Sequence, residues 1–498
     1  MKIIKSATLN EIDAKEVIVE ATFTKGLPSF TIVGLISTAI TESKDRVKSA
    51  LLTNDYKFPP KKITINLAPS EIKKAGTHFD LPIALLISLY EEKIDFSDFH
   101  IFGELSLNGQ IKDSNSIFPI ILSLVKQGLV KNVLVCKNSA NKISKIPNIN
   151  IYCVENLIEA IEFFKQKDKN KFLFKKEELS YEKININGKD FFYQNEYLQD
   201  FKDIKGQENA KRAALIAASG NHNILFEGSP GSGKTMIAKR MPYIMTPMSL
   251  DEILEVAKLQ ALNFKEPDFK PVRVFRSPHN TSTKASIVGG TNIGEISLAN
   301  AGVLFFDELP HFSSSIIEAL REPLEDYRLL VSRANSKVLY DTKFLFIGAM
   351  NPCACGNLLS SNNSCRCNDL EIKKYKQKLS EPFLDRIDLN IIMNETRLDD
   401  KSTISSKEIH IQVIDAFKMQ ILRGQKELNG KLSDDEISKF CNIDEESEEI
   451  LEKATQNFNL SFRSINKIKK VSRTIADLEQ SNNIQKHHLL EALSYRRR

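Results

Sequence analysis

The sequence predicts an α/β chain, with a mostly parallel sheet at its centre, an α+β unit before it and a helical unit after it. Three observations carry this. Between about residues 200 and 398, short apolar runs (Asn223 to Phe226, Val303 to Phe306, Phe344 to Gly348) alternate with helical stretches, as the strands of a covered parallel sheet do. Directly after the first run, and before helical Met236 to Met241, stands Gly228-Ser229-Pro230-Gly231-Ser232-Gly233-Lys234-Thr235, a glycine-rich turn in a strand-to-helix setting. From Ser406 onward apolar residues such as Ile411, Ile414, Phe417, Ile421 and Leu422 recur at helical spacing, and little reads as strand.

Residues 1–165 read as the α+β unit. Val17, Val19, Ala21 and Phe23 share one face of a strand. Phe30 to Val33 and Ile63 to Leu67 are further strand-like runs, and Phe79 to Tyr90 is a helical run rich in Leu, Ile and Ala. Residues 166–200, which follow Lys165 with Gln166-Lys167-Asp168-Lys169-Asn170-Lys171, read as a charged, exposed linker. The α/β core then occupies 201–398 and a helical lid 399–498. A chain of 498 residues is too long for one core, so several domains are expected.

Composition narrows the class. Hydrophobic residues at 42% and charged residues at 27% are those of a globular protein, not a disordered one. No apolar run is long enough to span a membrane. The opening Met1 to Thr8 has no apolar stretch or cleavage site of a secretory signal, so a cytoplasmic location is expected. A net charge of +5 over this length is a weak pointer to an anionic partner.

The glycine-rich turn fits G-x-x-x-x-G-K-[ST] in full. Glycines let backbone N–H groups converge on phosphate oxygens with no Cβ in the way, and the next helix points its positive end at the anion. The nucleotide-binding stretch runs from Gly228 to Met236, taking in Ser229, Pro230, Gly231, Ser232, Gly233, Lys234 and Thr235. Lys234 is placed to reach the β- and γ-phosphates of ATP, and Thr235 to put its hydroxyl on Mg²⁺. Val303-Leu304-Phe305-Phe306-Asp307-Glu308 adds a buried strand ending in two carboxylates. Asp307 suits the metal and Glu308 the attacking water. Asn351, at the end of Phe344 to Met350, suits a γ-phosphate sensor, although Asn before Pro352 is also a common turn starter.

With these motifs in place, residues 201–498 resemble the Mg-chelatase-type branch of AAA+ ATPases. The whole chain resembles the bacterial YifB/ComM family, which joins that motor to an N-terminal Lon-protease-like domain. The resemblance rests on Gly26 to Leu35, Ile65 to Pro69, Phe79 to Ala84, Gly103 to Gly109, Gly294 to Ala299, Asp307 to Pro310 and Leu320 to Glu325. It implies that Gly206 and Gln207, in Asp203-Ile204-Lys205-Gly206-Gln207, pack on adenine. It further implies that Arg386, in Phe383-Leu384-Asp385-Arg386-Ile387-Asp388, is an arginine finger entering a neighbouring subunit's site. Arg463, in Leu460-Ser461-Phe462-Arg463, is similarly implied as a sensor touching the γ-phosphate. Read without the resemblance, each arginine is a surface ion pair.

Against the Lon-type Ser–Lys dyad, His78 falls at the nucleophile's place and Phe118 at the base's, with Ser114 and Ser116 nearby. Phe has no proton to exchange, so peptidase chemistry is not expected. Cys353, Cys355, Cys365 and Cys367 form C-x-C, nine residues, C-x-C. They suit structural Zn²⁺, the alternative being four reduced thiols. Cys136, Cys153 and Cys441 read as packing residues.

An insertion from about Ala261 to Ala299 carries Arg273, Arg276, His279, Lys284 and Gly289-Gly290. In related motors such insertions project toward a pore, where basic residues track a nucleic-acid backbone; on charge alone it is a solvated loop. Tyr495-Arg496-Arg497-Arg498 offers a phosphate contact or a disordered end. Family resemblance implies a self-assembled hexameric ring, with no membrane partner. The resemblance further implies a helicase that migrates branched DNA during recombination and natural transformation, with branched or single-stranded DNA as its partner. The alternatives are a chelatase-type remodeller of a protein partner and a scaffold that uses ATP only to assemble.

Overall fold

The computed structural model describes residues 2–333, 336–360, 363–395 and 399–497. Arg498, one of the terminal basic residues, and the expected core boundary at residue 398 lie outside the described residues. The chain forms two compact units: Met1–Ser180 with Ala257–Phe269, and Tyr181–Val256 with Lys270–Arg498.

The first unit is built on a seven-stranded mixed sheet. Its strands are β1 (Lys2–Asn10), β2 (Asp13–Thr24), β3 (Ser29–Val33), β4 (Lys62–Ala68), β5 (Phe99–Ile101), β6 (Asn132–Val135) and β7 (Asn150–Cys153), in the order β3-β4-β2-β1-β5-β6-β7. Val17, Val19 and Ala21 of β2 are buried, as period-two alternation requires. β1 pairs antiparallel with β2 along its whole length, from Lys2 opposite Ala21 to Asn10 opposite Asp13. The helix Asp80–Ser88 is buried on nearly every side. The carboxylate of Asp80 survives there because Arg46 Nε donates to it at 2.7 Å, Leu105 N–H at 3.2 Å and Ser43 through its hydroxyl.

The distant segment Ala257–Phe269 packs into this unit. Lys258 reaches Asp13 at 3.4 Å, and Lys142 sits between Asp113 at 2.8 Å and Glu266 at 3.0 Å. The Phe269 ring meets Phe118 edge-on at 5.4 Å.

The second unit begins inside the expected linker. Residues 182–193 are a hairpin, β8 (Glu182–Ile186) and β9 (Lys189–Tyr193), in place of exposed coil. Phe191 explains the difference: its ring packs edge-on against Phe417 at 5.0 Å. The core strands are β10 (Ile224–Gly228), β12 (Phe275–Arg276), β13 (Val303–Phe306), β16 (Leu345–Met350) and β17 (Leu389–Met393). The short β11 (Met248–Ser249) joins the hairpin, and β14 (Arg328–Arg333) pairs with β15 (Ser336–Asp341) as a separate ribbon. The core order is β12-β13-β16-β10-β17, and every neighbouring pair is parallel. This is the α/β, AAA+-type core with a helical lid. Parallel strands end on one edge, so Gly228, the residue after Phe306 and the residue after Met350 come together there.

The lid holds the helices Ser406–Leu422, Glu445–Phe458, Phe462–Leu478 and Lys486–Ser494. Asn459 turns the chain with φ 48°, and Ser461 caps the next helix by accepting from Ser464 N–H. Arg463 is thereby fixed in that helix's first turn.

Candidate active site

The glycine-rich turn leaves β10 and feeds the helix Lys234–Arg240. Gly231 and Gly233 adopt φ of 79° and 94°, which side chains resist. A Cβ on Gly228 would stand 2.8 Å from Ser232 Oγ and 2.9 Å from the Met393 carbonyl. Lys234 Nζ folds back into the turn, donating to the carbonyls of Gly228 at 2.6 Å and Ser229 at 2.9 Å. It also lies 3.4 Å from Asn351 Oδ1. Burial holds the ammonium below its usual pKa, and Asp307 opposes that shift. Ser229 Oγ is buried with no hydrogen-bond partner. A cation held only by neutral oxygens, beside an orphaned hydroxyl, fits a phosphate-binding cradle.

Thr235 Oγ1 donates to Asp307 Oδ2 at 2.9 Å, so the two expected Mg²⁺ oxygens stand together. Asp307 Oδ1 accepts from the Glu308 amide at 3.0 Å. Glu308 has φ 51° and an exposed side chain, whose Oε2 accepts from Asn280 Nδ2 at 3.2 Å. Nothing in the motifs points to Asn280, which lies in the segment before the helix Lys284–Val288. Gln207, at φ 59°, donates to the Ser232 carbonyl at 3.1 Å, so Gly206 and Gln207 border the turn. Met236 is partly exposed, one turn into the helix.

Arg386 and Arg463 lie elsewhere. Both guanidiniums bond to one carboxylate: Arg386 Nη2 to Glu325 Oε2, and Arg463 Nη2 to Glu325 Oε1. They line a cavity of about 790 Å³ with Asp385, Asp388 and Lys467. Among the described residues, no arginine bonds to the glycine-rich turn, Asp307, Glu308 or Asn351.

The four clustered cysteines converge. Cys353 Sγ is 3.4 Å from Cys355 and 3.7 Å from Cys365, and Cys355 is 3.6 Å from Cys365. All four sulfurs lie within 4.8 Å of one another. A ZnS₄ tetrahedron with 2.3 Å bonds has edges of about 3.8 Å, so the donor set fits zinc. The cysteine loop rests on the glycine-rich turn: a Cβ on Gly356 would be 2.9 Å from Pro230. Cys136 and Cys441 are buried among apolar residues and Cys153 is half-buried. In a second cluster, Glu479 is hydrogen-bonded by both His487 and His488. His488 Nδ1 accepts from Gln485 N–H at 2.9 Å and its Nε2 faces Glu479 at 3.0 Å, so both nitrogens are occupied.

The insertion differs from expectation at two residues. Arg273 is buried, bonded to Glu252 at 2.6 Å and to the Thr246, Pro247 and Ala301 carbonyls. Arg276 makes two 2.6 Å bonds to Glu295. Both are tied into the fold and neither is free to follow a nucleic-acid backbone; His279 and Lys284 remain exposed. At the C terminus Arg496 stacks on Phe458 at 4.0 Å and Arg497 pairs with Glu381 at 2.6 Å, so each is held by the chain itself.

In the first unit, His78 is fully buried. Its Nε2 donates to the Ala7 carbonyl at 2.8 Å, leaving Nδ1 to face Ser116 Oγ at 3.4 Å. Phe118 fills the base's expected place and is covered by Phe269.

A parallel β-core with this phosphate turn, a carboxylate pair at a neighbouring strand end and a helical lid defines an AAA+ ATPase, an enzyme that hydrolyses ATP with Mg²⁺. Three family models match: "Magnesium chelatase, subunit ChlI" over residues 200–401, "Subunit ChlI of Mg-chelatase" over 19–139, and "Magnesium chelatase, subunit ChlI C-terminal" over 403–496. The chain is 36% identical to "Competence protein ComM" of Haemophilus influenzae, over 100% of this chain and 97% of that protein. It is 35% identical to YifB of Salmonella typhimurium and to YifB of Escherichia coli, in each case over 97% of this chain and 95% of the relative. The chain belongs to the YifB/ComM family of Mg-chelatase-type AAA+ ATPases. Among the described residues, no helix is long and apolar enough to cross a membrane.

Proposed function

We propose that the chain is a ring motor that cleaves ATP between copies of itself and uses the energy to move along DNA. The observation that carries the ring is the separation of Lys234 from the two arginines. Lys234, Thr235, Asp307, Glu308 and Asn351 assemble at one sheet edge with no guanidinium bonded to them among the described residues, while Arg386 and Arg463 pair on Glu325. Transition-state charge on a transferred phosphoryl group calls for such a cation. A second copy supplies it, and a closed ring of six gives every site a neighbour.

In this reading Lys234 binds the terminal phosphates and Asn351 orients the γ-phosphate. Thr235 and Asp307 hold Mg²⁺, which supplies charge neutralisation when bound. Glu308 orients water, and Gly206 and Gln207 flank the base. The Cys353, Cys355, Cys365 and Cys367 quartet holds a structural Zn²⁺ that stiffens the chain after Asn351, against Pro230. The Lon-like unit (expected at 1–165) binds or assembles without peptidase chemistry, since His78 donates to a backbone carbonyl and Phe118 has no base.

The DNA substrate, with its role in recombination and natural transformation, is supported by a full-length relative named a competence protein. A second reading, remodelling of a protein partner, is supported by family models described as magnesium chelatase. ATPase rate with branched, duplex and single-stranded DNA, at two salt concentrations, separates them. Stimulation by branched or single-stranded DNA that weakens with salt supports the motor. Stimulation by a protein partner alone overturns it.

A further inference from the structure

The Glu325 carboxylate has an unusual load. It carries one negative charge and is shared by two guanidiniums, one on each oxygen. The Arg386 side chain is only 10% exposed, so its charge needs a partner where it stands, and its Nε is buried with none. Arg463 approaches from the lid, 138 positions away from Glu325, while Arg386 approaches from the core, 61 positions away. Without Glu325 the two guanidiniums would lose the carboxylate they share, in a cavity also lined by Lys467, Asp385 and Asp388. Lys467, whose Nζ donates to the Ile387 carbonyl at 3.0 Å, adds a third positive charge to the cavity.

Two parallel arginines on adjacent oxygens of one anion is also how arginines hold a phosphoryl group. A terminal phosphate of ATP offers more oxygens and more charge than a carboxylate.

We propose that Glu325 is the resident anion of a phosphoryl-binding site. It keeps Arg386 and Arg463 side by side in the lone chain and yields both to the terminal phosphate of ATP held by a second copy. Glu325 is thus a positioning residue that competes with that phosphate, and it sets how readily copies assemble around nucleotide. The inference rests on the reading that Arg386 acts on a neighbour's ATP.

The test is ATPase rate per chain against concentration of the full-length protein, for wild type, Glu325→Gln, Glu325→Asp and Arg386→Ala. Gln keeps the shape and removes the charge. The half-maximal concentration is expected to fall about tenfold, equivalent to about 1.4 kcal/mol of competition removed. Asp keeps the charge but is too short to span both arginines, and is expected to fall between wild type and Gln. Unchanged or raised midpoints in both variants, with wild-type unfolding temperatures, overturn the proposal. A lower rate at every concentration with an unmoved midpoint also overturns it, because that is a purely structural role. Arg386→Ala tests the underlying reading separately: full activity with no dependence on concentration sinks that reading whatever Glu325 does.

Discussion

Gly356 of the cysteine loop lies directly on Pro230 of the glycine-rich turn, so close that a Cβ would stand 2.9 Å from two of the proline's ring atoms. Gly356 also has φ 82°, a conformation that costs an L side chain about 1 kcal/mol or more. Gly356→Ala is therefore expected to push the turn away from its resting shape. ATP titration of the hydrolysis rate should show KM raised several-fold, with kcat changed less. An unaltered KM would mean that the cysteine loop does not support the turn.

Lys234 and Glu308 should fail in different ways. Lys234→Ala removes the ammonium that meets phosphate, so ATP should no longer raise the unfolding temperature. Glu308→Gln keeps the hydrogen-bonding shape beside Asn280 and loses the base. Turnover should fall about a hundredfold or more while the ATP-induced thermal shift persists. Equal activity in Glu308→Gln would remove Glu308 from its assigned place.

One zinc per chain is expected by elemental analysis. Chelation should lower the unfolding temperature by several degrees, because metal binding to a folded site is folding free energy. It should also expose Cys353, Cys355, Cys365 and Cys367 to alkylation together. Reactivity of all four thiols in untreated protein, with no metal found, would leave them as reduced cysteines.

Acid should weaken the fold through neutral buried histidines. Burial holds His78 at about 4, and likewise His222 and His410, against an unfolded value near 6.5. Between these values the unfolded chain binds more protons, so stability rises with pH. The contribution is complete above about pH 6.5, shrinks as pH falls below it, and is gone near pH 4. At pH 5.5 each histidine should cost about 1.4 kcal/mol relative to pH 7.5. Denaturant midpoints at the two pH values measure the sum. In His78→Asn the difference should be smaller by one histidine's share.

The glycine-rich turn and the carboxylate pair were legible because their pattern is local. Glycines, Lys234 and Thr235 must be consecutive, and Asp307 and Glu308 must close a buried strand. Residues whose role depends on a distant partner were not legible. Arg273 and Arg276 resemble surface cations until Glu252 and Glu295, 21 and 19 positions away, are brought beside them. The hairpin at Glu182–Tyr193 was hidden by its charged outer positions, since its anchor Phe417 belongs to the lid. The ribbon Arg328–Asp341 was hidden too: Leu330 and Leu339 pair across it while both stay exposed. Leu320 to Glu325 stood out as a motif, but its charge could be assigned only once Arg386 and Arg463 were seen on one carboxylate.

Ala257–Phe269 belongs by contact to the first unit and by sequence to the middle of the second. No single cut therefore yields two intact halves. A fragment starting at Tyr181 would keep Phe269 and Lys258 but lose Phe118 and Asp13, and so carry an uncovered apolar segment in its middle. The complementary N-terminal piece would bare the Phe118 ring to water. Low yield or clumping of either fragment would then report on a borrowed segment, and would say nothing against the ability of each unit to fold.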